Sequence, residues 1–145
     1  MQYKILNRIV PTNVLLYKMK KVSSPSCSFC EYMAESLDHM FFTCTVVRNL
    51  WLQVFASWSM FSHDVFVLTC KSCLLGVYDT DIPNVSEINF IILYGKRYIM
   101  KCKIMSHIPS ITGFFMYLHQ QLEALEKCST CRIIENVKQF VSETL

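Results

Sequence analysis

Three thiols and one imidazole fall within residues 27 to 44, CSFCEYMAESLDHMFFTC, as Cys27, Cys30, His39 and Cys44. Their spacing is Cys-x2-Cys-x8-His-x4-Cys. Zinc takes its ligands from cysteine and histidine, and structural sites commonly open with two cysteines roughly two to four residues apart. A Cys-x2-Cys turn lets both sulfurs face one point while its backbone amides support them. His39 can then lie near the start of a helical turn and Cys44 just past its end, so that both reach the same ion from the opposite side. Four ligands with no open coordination position make a closed structural site, and its binding free energy counts towards folding. Phe29, Phe41 and Phe42 are placed to cap it. The competing reading has three buried thiols and a surface histidine. The density of ligands, entered through a Pro-Ser loop, favours the metal.

The other reactive side chains are less well arranged. Cys70 and Cys73, and Cys128 and Cys131, form two more Cys-x2-Cys pairs. They can be buried thiols, a second zinc site or redox dithiols. Each pair adjoins apolar residues and neither sits in a βαβ unit, so buried thiols are the preferred reading. His63, His107 and His119 have no ligand-spaced partners. Trp51 and Trp58 lie at helical spacing and read as core. Two cation clusters stand out. Lys4, Arg8, Lys18, Lys20 and Lys21 give the first 26 residues five positive charges and no acid. Lys96, Arg97, Lys101 and Lys103 form the second cluster, interleaved with Tyr94 and Tyr98. Such clusters can meet phosphate and stack bases, or can be solvated helix faces with the tyrosines in the core.

The elements that must position these residues read as helices. The chain has 145 residues, 52% of them apolar and 17% charged, with only 3 glycines and 4 prolines. That is too hydrophobic for disorder and too poor in turn residues for a sandwich or barrel. Residues 1–22 read as two basic helices broken at Pro11, with Thr12 as N-cap. Ser36 can cap a short helix carrying Leu37, Met40 and Phe41. Thr45 can cap a longer one whose stripe is Val47, Leu50, Trp51, Val54 and Phe55. VFVLTC, 65–70, is a candidate strand, followed by a turn-rich stretch from Gly76 to Pro83. A helical pattern from Ser86 to about His107 places Ile88, Ile91, Ile92, Tyr98, Ile99 and Cys102 on one face. Pro109 and Ser110 restart the chain into a final helix or helix pair. No run is long enough for a membrane span, and the first residues lack the order of a signal peptide. The chain is therefore expected to be intracellular, nuclear or cytoplasmic, with its thiols reduced.

Together these motifs resemble the zinc-binding region near the C-terminus of non-LTR (LINE-type) retrotransposon reverse transcriptases. The resemblance rests on Arg8, Ile9, Pro11, Thr12 and Asn13; on Ser24, Pro25, Cys27 and Cys30; on Glu35, Ser36 and His39; and on Phe41, Phe42, Cys44 and Trp51. It continues at Leu75 and Gly76, and at Asn89, Lys96, Tyr98 and Ile99. The resemblance implies a nucleic-acid-handling accessory segment that lies after the polymerase and helps to position element RNA or target DNA. It carries over the four zinc ligands and no catalytic residue, because no polymerase aspartate pair and no endonuclease carboxylate set is present. The eight-residue Cys-to-His gap exceeds that of the retroviral zinc knuckle, so that module's base-stacking mode does not transfer.

The resulting expectation is a mainly α, small helical domain organised around a CCHC zinc knuckle. Residues 1–145 form one domain, with basic helices over 1–22, the knuckle and following helix start over 23–51, and a helical region over 52–145. Zinc is the cofactor. RNA or DNA is the partner, together with the rest of a reverse transcriptase polypeptide, and neither a membrane nor a small-molecule substrate is involved. Lys18, Lys20, Lys21, Lys96, Arg97, Lys101 and Lys103 are the expected nucleic-acid contacts. The alternatives are a zinc-stabilised protein-interaction or structural segment and, further off, a thiol-redox enzyme with a low-pKa Cys70 or Cys128.

Overall fold

The computed structural model describes residues 1–127 and 131–145, and every regular element among them is helical. Two short helices, α1 (Gln2–Leu6) and α2 (Asn13–Lys18), are separated around Pro11, which has no N–H to continue a helix. Thr12 caps α2 as expected, its hydroxyl accepting from the Leu15 amide at 3.3 Å. After the cysteine turn a π-helical turn (His39–Thr43) leads into α3 (Thr45–Ser62). Then come α4 (Cys70–Leu75), α5 (Val85–Ile104), α6 (Ile111–Glu126) and α7 (Arg132–Thr144).

The apolar stripes read from periodicity are the faces that meet. Val47, Leu50, Trp51, Val54, Phe55 and Trp58 of α3 are buried, as are Ile88, Ile91, Ile92, Tyr98, Ile99 and Cys102 of α5. The last helix packs on α3, α5 and α6. Its Phe140 meets Trp58 and Phe115 edge-on, with ring centroids 5.1 and 5.4 Å apart. On the other side, α1 leans on α4, and α4 on the π-helical turn.

Gly95 sets the approach of α3 to α5. A Cβ there would lie 2.2 Å from the Trp51 ring, well inside van der Waals contact. The ring cannot swing away cheaply, because its Nε1–H donates to the buried Phe41 carbonyl at 2.8 Å. Alanine would gain up to about 1 kcal/mol of helix propensity. Overpacking typically costs about 1–3 kcal/mol, and more when the neighbour is pinned. Gly95→Ala is therefore expected to destabilise, with a lower denaturation midpoint at unchanged slope, and Trp51→Phe should recover part of the loss. An unchanged midpoint would mean that the ring yields freely.

Two details differ from the sequence reading. VFVLTC is not a strand: 65–69 run without regular structure and α4 begins at Cys70. A strand needs a partner edge, and the one β-bridge among the described residues joins Ser26 to Ala34. Instead Thr69 and Ser72 form a reciprocal capping box, a Thr-x-x-Ser signal legible in the sequence. Thr45 opens α3, but the cap position before it belongs to Cys44. The Leu75–Gly76 turn also acquires a reason. Gly76 has φ +99, and the Asn89 side chain pairs with Val77 like a strand edge, accepting from its N–H at 2.8 Å and donating to its carbonyl at 2.9 Å.

Candidate metal centre

Residues 25 to 35 double back on themselves. The Cys27 amide donates to the Met33 carbonyl and the Glu35 amide to the Pro25 carbonyl, both at 2.8 Å. Glu31 makes the bend in the left-handed region, at φ 62. Ser36 accepts from the His39 amide at 3.2 Å and so starts the turn that carries the imidazole. Cys44, at the head of α3, is held by the Arg48 amide donating to its carbonyl at 2.7 Å. Three separate pieces of backbone thus bring the ligands together.

Their side chains converge. The four ligand atoms lie within 4.8 Å of one another, and together they form a group that can hold a metal ion. Cys27 Sγ and Cys44 Sγ are 3.8 Å apart, and Cys30 Sγ is 3.3 Å from His39 Nε2. A tetrahedron with Zn–S near 2.3 Å has S–S edges of about 3.8 Å, so the donor set and its spacing fit zinc. His39 Nδ1 lies 3.3 Å from the Thr43 hydroxyl, which can orient the ring with Nε2 facing the sulfurs. The surrounding protein treats the thiols unequally. Burial pushes Cys27 up to about 12, partly opposed by backbone amides. At Cys30 desolvation is outweighed by the amides of Met33 and Tyr32 and by His39 and Cys27, bringing the thiol down to about 6. A buried Cys27 ionises only beside a cation, as a zinc ligand would.

Behind the hairpin sits a polar hub that the sequence reading did not assign. Glu35 is fully buried, and its carboxylate accepts from the amides of Asn13 (2.9 Å) and Ser28 (2.8 Å) and from the Lys103 ammonium. Lys103 also donates to Asn13 Oδ1 at 2.7 Å, while Asn13 Nδ2 donates to the Ser26 carbonyl at 2.6 Å. Burial works against the Glu35 anion, but these donors outweigh it, Lys103 first among them, and hold the carboxyl below its ordinary range. One carboxylate therefore joins α2, the cysteine hairpin and α5. Asn13 and Glu35 belong to the residues of the resemblance. The signal that could have given them a role is an acid inside a metal-binding hairpin, which must find partners if it is buried.

The expected nucleic-acid contacts divide. Lys18, Lys20, Lys21, Arg97 and Lys101 are exposed. Lys96 is not a surface cation: it is 1% exposed, and its ammonium donates to Gln2 Oε1 at 2.6 Å and the Leu74 carbonyl at 3.3 Å. Burial lowers it to about 8. Lys103 is taken up by Glu35, its side chain only 10% exposed. Tyr94 and Tyr98 are both buried, so between base stacking and core they belong to the core.

Cys73 is a buried thiol whose S–H donates to the Phe41 carbonyl at 3.4 Å, and burial pushes it up to about 12. Burial also raises Cys70, the reverse of what a redox nucleophile requires. Cys131 is exposed, and Cys128 lies outside the described residues. Among the described residues, the one cysteine- and histidine-bearing group close enough to share an ion is that of Cys27, Cys30, His39 and Cys44.

No curated protein and no solved structure matches the chain. One family does, described as zinc-binding in reverse transcriptase, over residues 1–51. That match takes in the zinc-binding domain and not the catalytic domains of the enzyme. It begins at α1 and ends at Trp51, so it contains all four clustered ligands, the Thr12 cap and the Asn13–Glu35 hub. The N-terminal third of this chain, which gathers three thiols and an imidazole around one point, is similar to the zinc-binding domain of reverse transcriptase.

Proposed function

We propose that residues 1–145 fold as one zinc-stabilised, non-catalytic module that binds RNA or DNA and positions it for a reverse transcriptase polypeptide. Cys27, Cys30 and Cys44 as thiolates and His39 through Nε2 hold the ion, which supplies structural cross-linking. The observation that carries this reading is the match of residues 1–51 to zinc-binding in reverse transcriptase. Charge supports it. Lys18, Lys20 and Lys21 are exposed at and just beyond the end of α2, whose first residue is hydrogen-bonded to the metal hairpin. Arg97 and Lys101 lie one turn apart on α5 and are exposed as well. Binding of this kind is mainly electrostatic and weakens steeply with salt. Its setting is the nucleus or cytoplasm. Among the described residues no helix is long and apolar enough to cross a membrane.

A salt titration tests the reading. Each phosphate contact contributes about 0.9 to the slope of log affinity against log salt on duplex DNA, and about 0.7 on a single strand. Replacing Lys18, Lys20 and Lys21 together by glutamine is expected to lower the slope by about 2 on a single strand and about 3 on duplex DNA. An unchanged slope would take that cluster out of the interface. Failure of the zinc-loaded chain to bind any nucleic acid at low salt would sink the reading. It would favour a protein-interaction segment, for which Tyr3, Leu6, Ile9, Tyr17 and Met19, all exposed on the N-terminal helices and their flanks, supply an apolar surface.

A further inference from the structure

At the corner where α5 turns into α6 lies an open cleft of about 400 Å³, within the roughly 300–1,000 Å³ range of small-ligand sites. Tyr117 forms one wall, and the Lys101 ammonium stands 5.2 Å from its ring centroid. His107 and Gln120, both exposed, lie along it, with Met105 and Met116 as apolar edges. Among the described residues no carboxylate lines it. The frame is fixed. The Tyr98 hydroxyl is hydrogen-bonded to the Ser110 backbone at 3.3 Å, and a Cβ on Gly113 would lie 2.3 Å from that hydroxyl, so the glycine lets α6 come close. One turn back on α5, Arg97 is exposed and stands 5.2 Å over the Tyr94 ring.

We propose that this cleft takes one unpaired nucleobase, stacked on Tyr117, with Lys101 and Arg97 on the phosphates to either side. The inference rests on the nucleic-acid reading above and states which form of nucleic acid the module prefers. A planar base fits an aromatic wall whatever its sequence, because every base has a π-face. An ammonium over a phenol ring is weakly held when solvent reaches it, whereas a phosphate offers a charge-assisted hydrogen bond. An incoming base therefore displaces Lys101 from Tyr117, and the ammonium moves onto the adjoining phosphate. A paired base keeps its faces inside the stack and cannot enter, so the cleft selects single-stranded or bulged segments. The exposed His107 and Gln120 side chains can hydrogen-bond the edge of the base.

The test uses the zinc-loaded full chain and oligonucleotides of equal length: a single strand, the same strand with abasic sites, and a perfect duplex. The base-bearing strand is expected to bind more tightly than the abasic one by roughly 5- to 150-fold, the worth of one stacked base. Tyr117→Leu should erase that preference while leaving the salt slope unchanged, and Tyr117→Trp should keep it. Without any substitution, titration of the wild-type chain with a nucleoside monophosphate should shift the methyl resonances of Met105 and Met116. Equal binding of base-bearing and abasic strands, full preference retained by Tyr117→Leu, or unmoved methyl resonances would overturn the proposal. Salt-dependent binding without base preference would remove the cleft and leave the nucleic-acid reading standing. No binding to any of the three would remove both.

Discussion

Replacing His39 by alanine is expected to release zinc and to turn one sharp unfolding transition into a broad one or none. The ligands sit on three pieces of backbone that the ion ties to one point: a hairpin closed by two backbone hydrogen bonds, the π-helical turn, and the head of α3. The binding free energy of a structural zinc is on the order of 10 kcal/mol, comparable with the roughly 5–15 kcal/mol that stabilises a whole domain. Losing one ligand therefore removes a term as large as the total. It also leaves Cys27 and Cys44 as a buried pair of thiols 3.8 Å apart, with the Cys27 thiol pushed up to about 12 by burial. Native mass spectrometry of the purified chain should find about one zinc per chain, and His39→Ala should carry none. Chelation should broaden the thermal transition of the wild type in the same way. A metal-free chain that still unfolds cooperatively would end the metal assignment.

The second large effect belongs to Glu35. Removing one member of a buried ion pair typically costs about 3–5 kcal/mol, because the partner charge stays buried without compensation. Glu35→Ala does this to Lys103 and also strips the amides of Asn13 and Ser28 of their acceptor. Lys103→Met should cost less, since the two amides still satisfy the carboxylate. A double-mutant cycle should return a coupling of more than about 1 kcal/mol. The acid limb has a defined sign. Because the folded-state value of Glu35 is depressed, its stabilisation is fully present above the ordinary value of 4.5 and is lost as pH falls through the lower native value. Wild type and Glu35→Gln should therefore differ most near neutral pH and converge in acid. Parallel curves across that range would show that the carboxylate contributes nothing as an anion.

Much of this molecule was legible before any coordinates. The ligand set was readable because metal-binding turns are local: Cys27 and Cys30 share one turn, and Cys44 follows His39 by five residues. The stripes of α3 and α5 were readable because a helix repeats its face every three to four residues, and Ile88, Ile91, Ile92 and Ile99 are all buried as the periodicity requires. The short elements were harder. VFVLTC has β-branched character but no partner strand, while the Thr69–Ser72 box that begins within it was present in the sequence and unused.

The fate of the charges was a different matter. Lys96, Arg97, Lys101 and Lys103 look alike in sequence, four cations within eight residues of one another. Two of them turn inward, and what they meet lies far along the chain: Gln2, 94 residues from Lys96, and Glu35, 68 residues from Lys103. By itself the sequence determined which residues could bind a metal and which faces had to be buried, because both follow from spacing over a few turns. Only the tertiary structure decided which cations remain free to meet a phosphate. Burying a charge is tolerated only where distant segments deliver its partners, and that delivery is a property of the packed fold.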